Sequence, residues 1–321
     1  MKLYPLKFEP VYKDYPWGNT ILPQRFGRSA PEGIYAESWE VSTHPDGESV
    51  IANGAWAGKT LSQVLKENGA EILGSSVEGN DFPLLIKLID AAKPLSVQVH
   101  PNNDNAAEVQ GEPKSEMWYF LNDEPAKIYC GLKPGTTRAD FLSAMAEEHF
   151  DDVLRVVPAV KGCAAYVPGG RVHSIDAGCL ILEIQQRSNT TYRVYDWDRL
   201  GHDGKPRELH VEKALHVIDF EDYTDPICRP VAVSDEIRHI CTSPFFVLDE
   251  LTVKGEMPLK AGGKTFHVLF SAEGPFEIGY GDGEKEFVAC GTSVLIPASL
   301  GSYTLTAETG ITVLLTSVPI R

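Results

Sequence analysis

The sequence predicts an all-β protein of two tandem barrels, with a small helical insertion in the first. Three observations carry that expectation. First, 28 Gly and 22 Pro punctuate the chain. Second, the stretches between them are short and rich in Val, Ile, Leu, Tyr and Phe. They include PLLIKLID (83–90), PLSVQVH (94–100), EMWYFL (116–121), AKIYCGL (126–132), CLILEIQQ (179–186), FFVLDELTV (245–253) and ITVLLTSV (311–318). Their length and β-branched content belong to strands of a sandwich or barrel. Third, a Gly-x5-Pro spacing ends a hydrophobic run twice, at Gly162–Pro168 and Gly291–Pro297. Histidine follows the first copy, at His173, and not the second. The echo suggests a duplicated barrel with one metal-bearing half and one blank half.

Few segments read as helices. Thr60 to Asn68 opens with the capping-box pattern Thr60-x-x-Gln63, places Leu61, Val64 and Leu65 on one face, and meets Gly69 as a stop. Thr136 to Val157 is richer in Ala, Glu and Asp, with Phe141, Leu142 and Met145 at helical spacing; an insertion over about 136–157 is expected there. His210 to Ile218 is one further short helix. Residues 221–230 are polar and turn-rich, so the expected division is an N-terminal barrel with the metal over 1–225 and a metal-free C-terminal barrel over 226–321.

The chain has 321 residues and 43% hydrophobic content, enough for a sizeable core and compatible with two domains. No apolar run approaches the roughly 18 residues of a membrane span. The opening MKLYPLKFEPVYKDYPWG lacks the apolar region of a signal peptide, so a cytoplasmic location is the default expectation. Six cysteines form no C-x-x-C pair and read as reduced thiols. A net charge of −16 argues against a nucleic-acid partner, and an anionic substrate would need a local cationic pocket.

Within PLSVQVH, period-two alternation puts Ser96, Gln98 and His100 on one face and Leu95, Val97 and Val99 on the other. Flanking runs are strongly hydrophobic, so this strand reads as central, and its polar face needs partners inside the barrel. Lys114 and Glu116 share a face of the next strand. His173 follows the tight turn at Pro168-x-Gly170. An amide, a carboxylate and two imidazoles make a mixed N/O donor set that suits Zn, Fe, Mn or Co and lacks the thiolates of a structural zinc site.

Pro168-x-Gly170-x-x-His173 resembles the second motif of the cupin superfamily, and Gln98-x-His100 followed by Glu116 stands where the first motif usually begins His-x-His. With the 83–104 run, the Lys114-Ser115-Glu116 block, VPGGRVHSIDAG, EIQQRSNTTYRVYDWDR, AESWEVSTHPDG and YPWG, the chain resembles the type I mannose-6-phosphate isomerases, in the short bacterial form without the large helical domain. The resemblance implies tandem cupin (jelly-roll) barrels and one Zn2+ per chain held by Gln98, His100, Glu116 and His173. It implies interconversion of mannose 6-phosphate and fructose 6-phosphate through a cis-enediol, with active-site roles for Lys114 and for Arg193, ten residues after Glu183. Glu183 is expected as a base or as a partner for Arg193. Ser96 and Arg199 are expected to bind substrate, and Arg187, Lys93 and Arg171 are further phosphate candidates. Tyr192, Tyr195 and Trp197 either wall the pocket or pack in the core. One departure stands out: the longer enzymes read Asp-Asn where this chain has Asn189-Thr190, and Arg199 falls where they carry a lysine. The expected partner is a small sugar phosphate, with no nucleic acid and no membrane, on a monomer or homodimer. Rival readings are another cupin enzyme such as an iron oxygenase, against which Gln98 counts, and a non-catalytic sugar-binding cupin.

Overall fold

The computed structural model describes residues 2–201 and 203–320, and antiparallel strands dominate it. Residues 11–195 supply two of three sheets. The first runs in the order Ala164–Val167, Glu116–Phe120, Leu180–Gln186, Leu84–Asp90, Glu37–Val41 and Val11–Lys13. The second runs Tyr192–Tyr195, Val97–Val99, His173–Ile175, Ala126–Leu132 and Leu154–Ala159. Their inner faces meet over Ile89, Trp118, Phe120 and Ile181 from one and Ile128, Cys130, Val157 and Ile175 from the other. Leu84–Asp90 is buried on both faces. Leu84, Ile86 and Leu88 turn outward into a second core, while Lys87 and Ile89 turn into the barrel. Burial of the strand on both faces explains why LLIKLID is apolar from Leu84 to Ile89 but for one lysine.

The third sheet forms the second barrel around the long antiparallel pair Val247–Ala261 and Gly301–Ser317, over a core that includes Leu251, Val253, Ile278, Val294 and Leu305. The first strand of the chain, Leu6–Glu9, joins this sheet by pairing with Val294–Ile296. Pro226 and Cys228, by contrast, still bond to the first barrel, at Tyr166 and Ala164. Outward-facing Phe82, Ile86, Met117 and Leu182 pack in one cluster with Phe246, Leu248, Phe266 and Leu314 of the second barrel, so the two barrels share a core. Gly162 and Gly291, the two echoed glycines, both adopt positive φ (79° and 72°) at the turns that launch Ala164–Val167 and Val294–Ile296. Only glycine takes that conformation at no steric cost.

The helices depart from expectation at their ends. Leu61–Leu73 starts on the expected capping box, but it runs four residues past Gly69, with a kink at Asn68 (φ −128°). Burial of Ile72 and Leu73 in the shared core holds the last turn despite the glycine. The insertion is helical only over Arg138–Glu147. Leu154–Ala159 is a strand, because β-branched Val156 and Val157 pair with Tyr129 and Ile128. Val211–Val217 is the last α-helix among the described residues. Among the described residues no helix is long and apolar enough to cross a membrane, and all six cysteines are free.

Candidate active site

Cross-strand register assembles the site. Gln98 lies opposite His173 on one side and Arg193 on the other. In the facing sheet Glu183 is paired with Lys87 on one neighbour and Trp118 on the other, and Glu116 is paired with Gln185. His100, at the end of its short strand, completes the group. His100, Glu116 and His173 are almost wholly buried and offer one ligand atom each within 4.8 Å of one another. His173 Nε2 is 3.2 Å from Glu116 Oε1, and His100 Nε2 is 3.6 Å from Oε2.

Both rings are fixed from behind. His100 Nδ1 is 2.8 Å from the Thr190 carbonyl, and His173 Nδ1 is 2.8 Å from the Arg171 carbonyl. A carbonyl only accepts, so each Nδ1 carries the proton and each Nε2 presents a lone pair. Burial, then the Lys114 ammonium, push His100 down to about 3, and burial also lowers His173, so both rings are neutral at pH 7. Burial would raise Glu116, but Lys114 Nζ at 2.9 Å holds its carboxyl well below the usual range. Beyond the Lys114 ion pair on Oε2, Glu116 and His100 Nε2 have no hydrogen-bond partner among the described residues. Buried acceptors left in that state are costly. Two neutral imidazole nitrogens and a carboxylate converging on one point are the donor set of a divalent metal, and the residues present fit one. Gln98 stands beside them with its amide nitrogen 3.3 Å from His173 Nε2, while its oxygen accepts from Ser96 Oγ at 2.9 Å. Ligation through the oxygen requires that amide to turn over.

A cleft opens beside this cluster, lined by Tyr15, Trp17, Ser96, Gln98 and Arg193 among others. Its floor is an alternating row of charges. Lys87 Nζ lies 3.1 Å from Glu37 and 3.2 Å from Glu183, and Lys114 Nζ lies 3.7 Å from Glu183 and 2.9 Å from Glu116. The indoles of Trp39 and Trp118 donate to the far oxygens of Glu37 (2.7 Å) and Glu183 (3.1 Å). Burial and the Glu116 charge raise Glu183 to about 7 against the pull of both lysines. A carboxyl that titrates near neutrality, next to an amine, is equipped to hold and release a proton.

A family model for the catalytic domain of type I phosphomannose isomerase matches residues 5–131. Over 313 residues the chain is 36% identical to mannose-6-phosphate isomerase ManA of Bacillus subtilis, covering 95% of this chain and 96% of that one. The chain belongs to the type I mannose-6-phosphate isomerases. It is also 33% identical over 291 residues to the mannose-6-phosphate isomerase of Streptococcus mutans, covering 89% and 90% of the two chains. A crystal structure of the mannose 6-phosphate isomerase from Bacillus subtilis superposes with a TM-score of 0.89 at 31% identity, covering 99% and 100% of the two chains.

In this isomerase the fold brings Ser96, Gln98, Lys114, Glu183 and Arg193 to one cleft, beside His100, Glu116 and His173. Glu183 pairs with the two lysines rather than with Arg193, whose Nε has no hydrogen-bond partner among the described residues. Arg199 lies outside the cleft lining, because its guanidinium is bound to Asp196 (2.6 Å) and to the Pro94 carbonyl (2.7 Å). Arg171 is buried against Asp222, Arg187 pairs with Asp81 and Lys93 is exposed. Tyr192, Tyr195 and Trp197 pack with Val97 and Val99. Asn189 lines the cleft and donates to Asp46 at 2.7 Å, so a carboxylate stands next to position 189 although position 189 is an amide.

Among the charged residues of the cleft lining, Lys87, Glu37 and Arg207 were not expected there. For Lys87 a signal existed, a cation in the middle of the apolar run LLIKL; Glu37 opens ESWEV, which carries a second acid, Glu40, and gave none. For Arg207 there was none, since RELH reads as an ordinary polar loop.

Proposed function

We propose that the cleft moves a proton between C1 and C2 of mannose 6-phosphate and fructose 6-phosphate through a cis-enediol, with one zinc ion held by Gln98, His100, Glu116 and His173. The observation that carries this reading is the buried Glu116 carboxylate, set between two neutral imidazoles, ion-paired with Lys114 and adjoining the Lys87–Glu183–Lys114 row. When bound, the ion supplies Lewis-acid polarisation at the sugar oxygens. Glu183 and Lys114 hold the proton in transit, because they stand 3.7 Å apart and burial with the Glu116 charge lifts the carboxyl to about 7 against the pull of the lysines. Arg193 faces the same space with an uncommitted Nε and stabilises negative charge as it develops on the substrate oxygens. Ser96 offers a hydroxyl to the sugar, and Tyr15 and Trp17 limit the water that reaches it.

A coupled assay of zinc-loaded protein with mannose 6-phosphate tests the reading, and absence of turnover rejects it. His173→Ala is expected to lose metal and activity together, with activity falling more than about 100-fold. Elemental analysis checks the metal; full occupancy in that variant removes His173 from the ligand set.

A further inference from the structure

The cleft cations divide into two groups. Lys87 and Lys114 are committed to Glu37, Glu183 and Glu116. Arg193 has an Nε without a partner among the described residues, and Arg207 is held along one edge of its guanidinium by Asp196. Arg207 shares one buried carboxylate, Asp196, with Arg199: Arg207 Nε donates to Oδ2 at 2.7 Å and Arg199 Nη2 to Oδ1 at 2.6 Å. Arg199 spends a further donor on the Pro94 carbonyl. Arg207 also reaches Asp196 Oδ1 through Nη2, which leaves the rest of its fork free on the cleft side. Among the described residues, Arg199 and Arg207 are thus ion-paired to one shared acid, Asp196, beside Arg193. Glu208 is exposed and adds only a screened charge. A chain of net charge −16 therefore holds a local excess of positive charge at this end of the cleft.

The arrangement is built by the backbone. After Asp196 the chain turns through two consecutive left-handed residues, Trp197 (φ 57°) and Asp198 (φ 50°). Such strain persists only where the surroundings over-determine it. Here Trp197 Nε1 donates to the Leu95 carbonyl at 2.6 Å, and a Leu200–Pro206 bridge closes the excursion that returns Arg207 to Asp196.

We propose that Arg207 binds the phosphate of the substrate, and that Asp196 is the positioning residue that aims its guanidinium into the cleft. This rests on the isomerase reading above. A guanidinium fork matches phosphate oxygens bidentately, and the dianion offsets the repulsion between Arg193 and Arg207. Burial and that same repulsion already lower Arg193.

Arg207→Gln is expected to raise KM for mannose 6-phosphate about 30- to 100-fold, with a smaller effect on kcat, and to weaken binding of inorganic phosphate by a similar factor in calorimetry. Asp196→Asn, with Arg207 intact, is expected to show the same KM-weighted loss. Arg207→Lys keeps a point charge without the fork and should recover part of the affinity, remaining about tenfold weaker than wild type. Zinc content and melting temperature serve as controls for folding. If Arg207→Gln misfolds, Arg207→Lys decides. KM and phosphate affinity within threefold of wild type in Arg207→Gln, or unchanged in Arg207→Lys, overturn the proposal. Phosphate binding is read without turnover. Wild-type protein that binds phosphate through Arg207 but does not isomerise mannose 6-phosphate would therefore sink the isomerase reading and leave this site standing.

Discussion

His267 and His173 are both sequestered imidazoles, and their partners separate their roles. His267, in the second barrel, pairs through Nδ1 with the Tyr303 hydroxyl at 2.7 Å, a polar group satisfied within its own core. His173 and His100 instead aim bare nitrogens at one carboxylate. The distinction has a pH consequence away from the metal. Burial lowers His267 to about 4. An unfolded histidine titrates near 6.5, so below that pH the unfolded chain binds a proton that the folded chain refuses. Stability is therefore lost as pH falls from about 6.5 toward 4, by about 2 kcal/mol at pH 5. His267→Gln should remove that part of the acid sensitivity. Urea midpoints of wild type and variant at pH 7.5 and pH 5 check it; an equal pH dependence in both would discard the argument. At this scale the residue types of the metal cluster were readable from sequence, because alternation and a turn-borne histidine are local signals. Their satisfaction was not: the carbonyls that orient the rings belong to Thr190 and Arg171, and the Thr190 carbonyl comes from ninety residues away.

Among the elements, starts were better marked than ends. The capping box of Leu61–Leu73 closes as the spacing implies, Thr60 Oγ1 accepting from the Gln63 backbone and Gln63 Oε1 from the Thr60 backbone. Thr60→Ala should destabilise the protein by about 1 kcal/mol, seen as a lower urea midpoint at unchanged slope. The helix end depends on what its last turn buries, and Gly69 lost to the packing of Ile72 and Leu73. The same competition turned Leu154–Ala159 into a strand. Its apolar residues are adequate for a helix, but the open edge of Ala126–Leu132 accepts them as a partner.

For the molecule as a whole, the shared core matters most. Phe82 of the first barrel and Phe266 of the second meet with ring centroids 4.9 Å apart, and both are fully buried. All five tryptophans (17, 39, 56, 118 and 197) lie in the first part of the chain, so their fluorescence reports on the barrel with the His100–Glu116–His173 cluster. Phe266→Ala should cost about 3–5 kcal/mol and shift the tryptophan-detected transition, although the substitution lies in the other barrel. A tryptophan signal that stays in place while circular dichroism shifts would mean that the barrels unfold independently.

By itself the sequence determined the β class, the duplicated Gly-x5-Pro frame, the donor types of the metal cluster and, through its motifs, the family. These are carried by period-two alternation, turn residues and short spacings, which act over a few neighbouring positions. The tertiary structure alone decided that Leu6–Glu9 joins the second barrel's sheet, that Glu183 is divided between Lys87 and Lys114, and that Arg207 rather than Arg199 enters the cleft. Each of these depends on register between distant strands, or on which long side chain a buried carboxylate holds back, and no local pattern encodes either.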